Sequence, residues 1–219
     1  AYDTWGFLIT YVYLNKSNAY IKEKKYRESA DVLLELIRLN HFSDLDSYVR
    51  NHVEFCLLKI IKNNRWSESE TFIDLRIRLC QDAKEKTNFL INLSYSMAKS
   101  EFDKIVECSI VYFEKAESEM LKNNYPKYNL SSIRNEKATA LMNNSKNEAA
   151  LNLFLDVKSQ LEFLGKDTTS TYILCLSNTS MIYDRLEQFE KANDLRYLFL
   201  TKIIETPYLL NYLDFFILE

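Results

Sequence analysis

Few side chains in this sequence are spaced for chemistry. The two histidines, His41 and His52, are the only groups that titrate near neutrality without perturbation. His52 and Cys56 stand at i and i+4, so on a helix they share a face and present two metal ligands. No third ligand has matching spacing: Cys80, Cys108 and Cys175 lie far apart, and there is no C-x-x-C pair. Structural roles are therefore expected for His52 and Cys56, with no metal bound. Glu107, Glu114 and Glu117 recur at helical spacing, and such a row with no cleft to hold it reads as a solvated face rather than an acid/base pair. The sequence has no G-x-S-x-G, no G-x-G-x-x-G, no Walker-type loop and no H-E-x-x-H. The expectation is a protein that is not an enzyme and uses no cofactor.

The elements that carry these residues follow from what the chain lacks. Its 219 residues contain two glycines, Gly6 and Gly165, and two prolines, Pro126 and Pro207, where average usage supplies about 15 and about 11. Sandwiches, doubly wound sheets and phosphate-cradling loops all need more of both, which leaves an all-helical fold. Lys plus Arg number 28 against 31 Asp plus Glu, a net charge of −3, so this fragment is not expected to bind nucleic acid. The richest basic run, Lys22 to Arg27, is interrupted by Glu23 and reads as a solvated helix end. No apolar stretch approaches the roughly 20 residues of a membrane span. Scattered cysteines inside apolar patterns read as reduced, buried thiols, which suits a cytoplasmic location.

Apolar residues recur at helical spacing nearly throughout, giving eleven expected helices at about 4–23, 26–39, 44–63, 67–82, 85–99, 101–123, 127–143, 146–163, 168–186, 189–204 and 207–218. Ser43 or Asp44, Ser67 with Glu70, and Thr168 to Ser170 have N-cap chemistry, while Gly165 sits where a C-terminal cap belongs. Short turns between long helices make sequential neighbours antiparallel. No linker divides the chain, so residues 1–219 are expected to form a single domain. The last expected helix, Pro207 to Leu218, is too apolar to bury itself against one neighbour, which predicts a homodimer through the C-terminal helices.

Some of these hairpins repeat. In Leu176–Leu195, Asn178, Ser180, Tyr183, Phe189 and Ala192 resemble the polar, small and aromatic positions of a tetratricopeptide unit, in which small residues let two helices approach and aromatics fill the wedge between hairpins. Asn15, Ser17, Tyr20, Tyr26 and Ser29 repeat the same offsets. A weaker copy runs through Asn135, Ala138 and Ala150, and Asn92-Leu93-Ser94 begins a partial one. Asn92, Asn135 and Asn178 are 43 residues apart, against 34 in the standard repeat. The resemblance implies a right-handed superhelix of tetratricopeptide-like hairpins whose first helices line a concave groove. The groove positions it implies include Asn15, Asn92, Tyr95, Lys99, Arg134, Asn135, Met142, Asn178, Met181 and Arg185, together with Tyr11, Asn18, Lys22 and Asn88. An asparagine amide donates and accepts at once, so a ladder of them suits the unpaired backbone of an extended peptide, with Tyr and Met for apolar side chains and Lys or Arg for a carboxylate.

Long, degenerate hairpins with groove asparagines also resemble the sensor domains of the peptide-pheromone receptors of Gram-positive bacteria, the Rgg, PlcR and Rap group. That resemblance implies a cytoplasmic quorum-sensing regulator that binds a short signalling peptide in its groove and dimerises. It also implies an N-terminal helix-turn-helix domain ahead of Ala1, through which alone DNA would be contacted. The alternative on the same fold is a scaffold or adaptor that holds a partner's tail, for which the expected clamp of lysines and arginines is sparse here, at Lys22, Lys99 and Arg185.

Overall fold

The computed structural model describes residues 4–39, 46–63 and 65–212. They form ten α-helices and one short 3-10 turn, with no strand among the described residues: α1 (Thr4–Lys22), α2 (Tyr26–Arg38), α3 (Asp46–Lys62), α4 (Trp66–Arg78), α5 (Ala83–Ala98), α6 (Asp103–Lys122), α7 (Lys127–Asn143), α8 (Asn147–Phe163), α9 (Ser170–Arg185), α10 (Phe189–Glu205) and the turn Pro207–Tyr212. Packing divides the chain into two compact units, residues 1–89 and 90–219, with the boundary inside α5.

The scarcity of glycine does not prevent tight turns, because other residues take the left-handed conformation. Lys24, Asn124, Ser145 and Glu187 all have φ between 53° and 60°, and Gly165 has φ 61°. In each case the next backbone N–H reaches five residues back to a helix carbonyl: Lys25 to Tyr20, Tyr125 to Met120, Lys146 to Leu141, Lys166 to Leu161 and Gln188 to Tyr183. These are Schellman closures, which satisfy otherwise orphaned carbonyls at the helix ends. Arg65 makes the same bond to Ile60 at the end of α3. Thr169 caps α9, its Oγ1 accepting from the Tyr172 N–H. Ser67 is not a cap, since α4 already begins at Trp66, after Arg65. His41, Ser43 and Asp44 lie outside the described residues.

In unit 1, α1 pairs with α2 and α3 with α4. Ser17 and Ser29 face each other at 2.7 Å, both fully buried, which is the close helix approach that the repeated small residues anticipate. Arg76 of α4, only 6% exposed, ties three helices together: it donates to Glu54 of α3 at 2.7 Å and to Glu85 of α5 at 2.9 Å, and stacks over Phe89.

Unit 2 pairs α7 with α8 and α9 with α10, while Tyr95 of α5 stands edge-on to Phe113 of α6 at 5.7 Å. Its largest core cluster is built on Phe154, Leu161, Tyr172, Ile173, Leu176 and Phe199. Ala138 with Ala150, and Ser180 with Ala192, take the places that Ser17 and Ser29 hold in unit 1, and all four are buried. Phe189 departs from its counterpart: Tyr26 is 2% exposed and Phe189 is 59% exposed. The expected helix over 207–218 is also corrected, because its described part is a 3-10 turn. Pro207 has no N–H to donate and disfavours a helical Thr206, whose φ of −131° and ψ of 75° end α10.

Candidate functional site

In unit 2 the first helices of two hairpins, α7 and α9, meet in a fixed register. Tyr128 and Thr171 hydroxyls lie 3.4 Å apart, and the Arg185 guanidinium donates to the Met142 carbonyl at 3.2 Å. Both pairs are 43 residues apart, the separation of Asn135 and Asn178 in the sequence. Between these rungs, Asn178 Nδ2 donates to Thr139 Oγ1 at 3.1 Å, and that hydroxyl donates to the Asn135 carbonyl at 3.0 Å. One buried polar atom beside this chain of bonds is unmatched. Asn135 is 2% exposed, and its Oδ1 has no hydrogen-bond partner.

The surface above this register is polar. On α9 it consists of Asn178 and Met181, both half-buried, and the exposed Arg185. On α7 it consists of Asn129, Ser132, Glu136, Thr139 and Asn143, at the spacing of one helical stripe. Asn92 and Lys99 of α5 are exposed and Tyr95 is half-buried. Burial raises the Tyr95 phenol, the Glu136 charge raises it further, and a Ser132 hydrogen bond opposes them. Burial likewise raises the Glu136 carboxyl, against the pull of Lys99. The groups of α5 and α7 are therefore close enough to feel one another.

Three of the expected groove residues sit elsewhere. Asn135 and Met142 are buried, the latter 4% exposed within the main core cluster. Arg134 points between α6 and α8, donating to Glu117 at 2.7 Å and to Asp156 at 3.3 Å. The reason is that α7 packs against α6, α8 and α9 at once, so only a narrow stripe remains, and it falls on Ser132, Glu136 and Thr139. The sequence carried that stripe as the run 129, 132, 136, 139, 143, but none of its members is an aromatic or lies in the repeated offsets. Asn15 is exposed on α1 of unit 1, Tyr11 is 59% exposed there, and Asn88 of α5 is also exposed.

Within the described residues, His52, Cys56 and the three glutamates each have a structural neighbour. His52 Nε2 lies 3.1 Å from the buried Ser17 hydroxyl, and burial lowers the imidazole below its ordinary 6.5. Cys56 is fully buried and its thiol is pushed up to about 11, chiefly by burial. Glu117 pairs with Arg134, Glu114 with Lys137 and Glu107 with Lys146. Among the described residues no group of three potential ligands gathers around a point, and no helix is long and apolar enough to cross a membrane. None of the four cysteines is in a disulfide; Cys56 and Cys175 are buried, and Cys80 and Cys108 are partly exposed.

No protein-family model matches the chain, and no curated protein does. Solved structures do. A kinesin light chain with nearly identical TPR-like repeats from Podosopora anserina superposes with a TM-score of 0.57 at 12% identity, over 89% of this chain and 95% of that one. A single-substitution form of the same protein has the same score and identity, over 90% and 95%. At this identity the likeness is one of fold alone, a TPR-like arrangement of helical hairpins.

Proposed function

We propose that the chain is a non-catalytic binding module that holds an extended peptide across the first helices of its hairpins. In its finer form, the proposal is that it is the peptide-sensing part of a cytoplasmic quorum-sensing transcription regulator. The observation that supports binding best is the edge of α7 and α9, where Asn178, Met181 and Arg185 stay accessible beside Ser132, Glu136 and Thr139. Such a surface offers amide, guanidinium, carboxyl and thioether groups in alternation, which suits a strand-like ligand with a free backbone and mixed side chains. The unmatched Oδ1 belongs to Asn135, whose carbonyl anchors the Thr139 hydroxyl, so a peptide N–H that draws Asn178 outward also frees this layer to rearrange. The finer form rests on the long hairpins and on the accessible Asn92 of α5 and Asn178 of α9. Dimerisation is supported by Tyr197, Ile204 and Tyr208, each more than 70% exposed near the C-terminal end.

The test is a selection of short random peptides on the whole chain, followed by calorimetric titration of a selected peptide. Asn178→Ala and Arg185→Ala are each expected to weaken binding by about tenfold, since a hydrogen bond to an amide or a charged donor in a shielded site contributes about 1 to 2 kcal/mol. Thr139→Val is the comparison, because it breaks the same interhelical bond from α7 while leaving the Asn178 amide in place. Equal weakening by Thr139→Val and Asn178→Ala assigns Asn178 to structure, and unchanged binding by Asn178→Ala and Arg185→Ala removes this edge as the site.

A further inference from the structure

At one end of unit 2, the last turns of α6 and α8 flank the first turn of α7 and leave an open groove of about 280 Å³. Its walls are Leu121, Phe163 and Leu164, and its floor is the buried Leu130. Phe163 is 85% exposed, more than any other large apolar side chain among the described residues, and Leu121 is 55% exposed. The polar groups beside them are already engaged: Arg134 donates to Glu117 and Asp156, and Gln160 bonds Ser131 and Asp156. The groove therefore calls for an apolar occupant. The turn Pro207–Tyr212 arrives at the same end of the unit. Tyr208 donates to the Thr168 carbonyl at 2.9 Å, in the loop that follows Leu164, and Leu209 is buried in the core cluster that holds Leu161. Past Tyr212 the sequence continues Leu213-Asp214-Phe215-Phe216-Ile217-Leu218-Glu219, five apolar residues in seven. Extended, seven residues reach about 23 Å, beyond two helix spacings of about 8 to 10 Å. Lys127 also lines the groove, exposed and with no ion pair among the described residues, and the seven residues carry two acids.

We propose that residues 213–219 dock in this groove of their own chain, with their apolar side chains on Phe163 and Leu121. Covalent attachment favours this occupant over a free one, since a short tether supplies an effective concentration on the order of millimolar. The docking goes beyond the peptide edge and does not depend on it, although α7 carries both: Leu130 lies at the groove, while Ser132, Glu136 and Thr139 line the edge. The test is photo-cross-linking of the whole chain carrying Phe216→benzoylphenylalanine, irradiated as an equal mixture of unlabelled and isotope-labelled protein and read by mass spectrometry. The expected link joins residues 213–219 to the stretch 121–134 or 160–164, within chains of one label. Leu121→Ser with Phe163→Ser should cut the yield of that link about tenfold. Both side chains are exposed, so the pair leaves the fold in place, which circular dichroism checks. Phe215→Ser should lower the yield as well without altering the groove. Tyr197→Ser with Ile204→Ser, which changes exposed positions of α10, should leave it unchanged. The proposal is overturned by a link between labelled and unlabelled chains, which assigns the groove to a second copy, by links that fall only outside the groove, or by a groove link that survives Leu121→Ser with Phe163→Ser at the parent's yield.

Discussion

Among the described residues, four other than glycine hold φ near +60° at helix ends, and at each of them backbone strain and loop closure oppose each other. A left-handed L-residue costs about 1 to 2 kcal/mol, and the Schellman bond that follows offsets part of it. Glu187→Gly and Ser145→Gly are therefore expected to stabilise unit 2 by about 0.5 to 1 kcal/mol each, the gain reduced by glycine's freedom in the unfolded chain. Gly165→Ala should do the reverse, and through the backbone alone, because a Cβ there meets nothing within 4 Å. Thermal or urea unfolding measures all three, and a Gly165→Ala protein as stable as its parent would contradict the account. The cysteines separate in the same way. Burial pushes Cys175 up to about 12, and its thiol donates to the Phe154 carbonyl, so Cys175 and Cys56 should resist an aromatic disulfide reagent in the native protein. The partly exposed Cys80 and Cys108 should react first, and peptide mapping of the labelled protein identifies the order.

Between elements, the pairs Ser17 with Ser29, Ala138 with Ala150, and Ser180 with Ala192 set how closely the hairpin helices approach. Ala192→Leu inserts three carbons into a fully buried crossing and is expected to cost about 1 to 3 kcal/mol through overpacking. A variant with an unchanged melting temperature would mean that α9 and α10 do not depend on that contact. These positions were legible in the sequence because a small residue at a fixed offset has one physical cause, steric approach. Helix limits were legible for the same kind of reason: α7 matches its expected span, and most others fall within about three residues of theirs. The accessible face of α7 was not legible. Periodicity says that a helix is amphipathic, but how many neighbours it has decides how wide its polar stripe is. Asn135 repeats the spacing of Asn178, yet α7 has packing partners on three sides, so Asn135 lies inside while Ser132 and Glu136 lie outside.

Across the molecule, the two units should respond to acid with opposite signs. His52 belongs to unit 1, and its imidazole titrates below the ordinary 6.5 because burial disfavours the charged ring. The unfolded chain therefore binds more protons there than the folded one as the pH drops through 6.5, and unit 1 loses stability until the lowered folded value is passed. Glu136 belongs to unit 2, and burial raises its carboxyl above the ordinary 4.5 despite Lys99. Here the folded chain binds the extra proton, so unit 2 gains stability as the pH falls toward 4.5. Only further down do Glu162 and Asp167 reverse that gain. Burial works against Glu162, but the Lys158 and Tyr172 hydrogen bonds hold it below its usual range, and the Lys202 hydrogen bond does the same for Asp167. Hydrogen exchange across the mildly acidic range, corrected for intrinsic rates, should show amides of α1 to α3 losing protection while those of α7 and α9 keep or gain it. His52→Gln preserves a donor toward Ser17 without a titrating ring, and it should abolish the acid response of α1 to α3 only. If both units lost protection together in the parent protein, or if His52→Gln left the response of α1 to α3 in place, the buried imidazole would not be what makes unit 1 acid-sensitive.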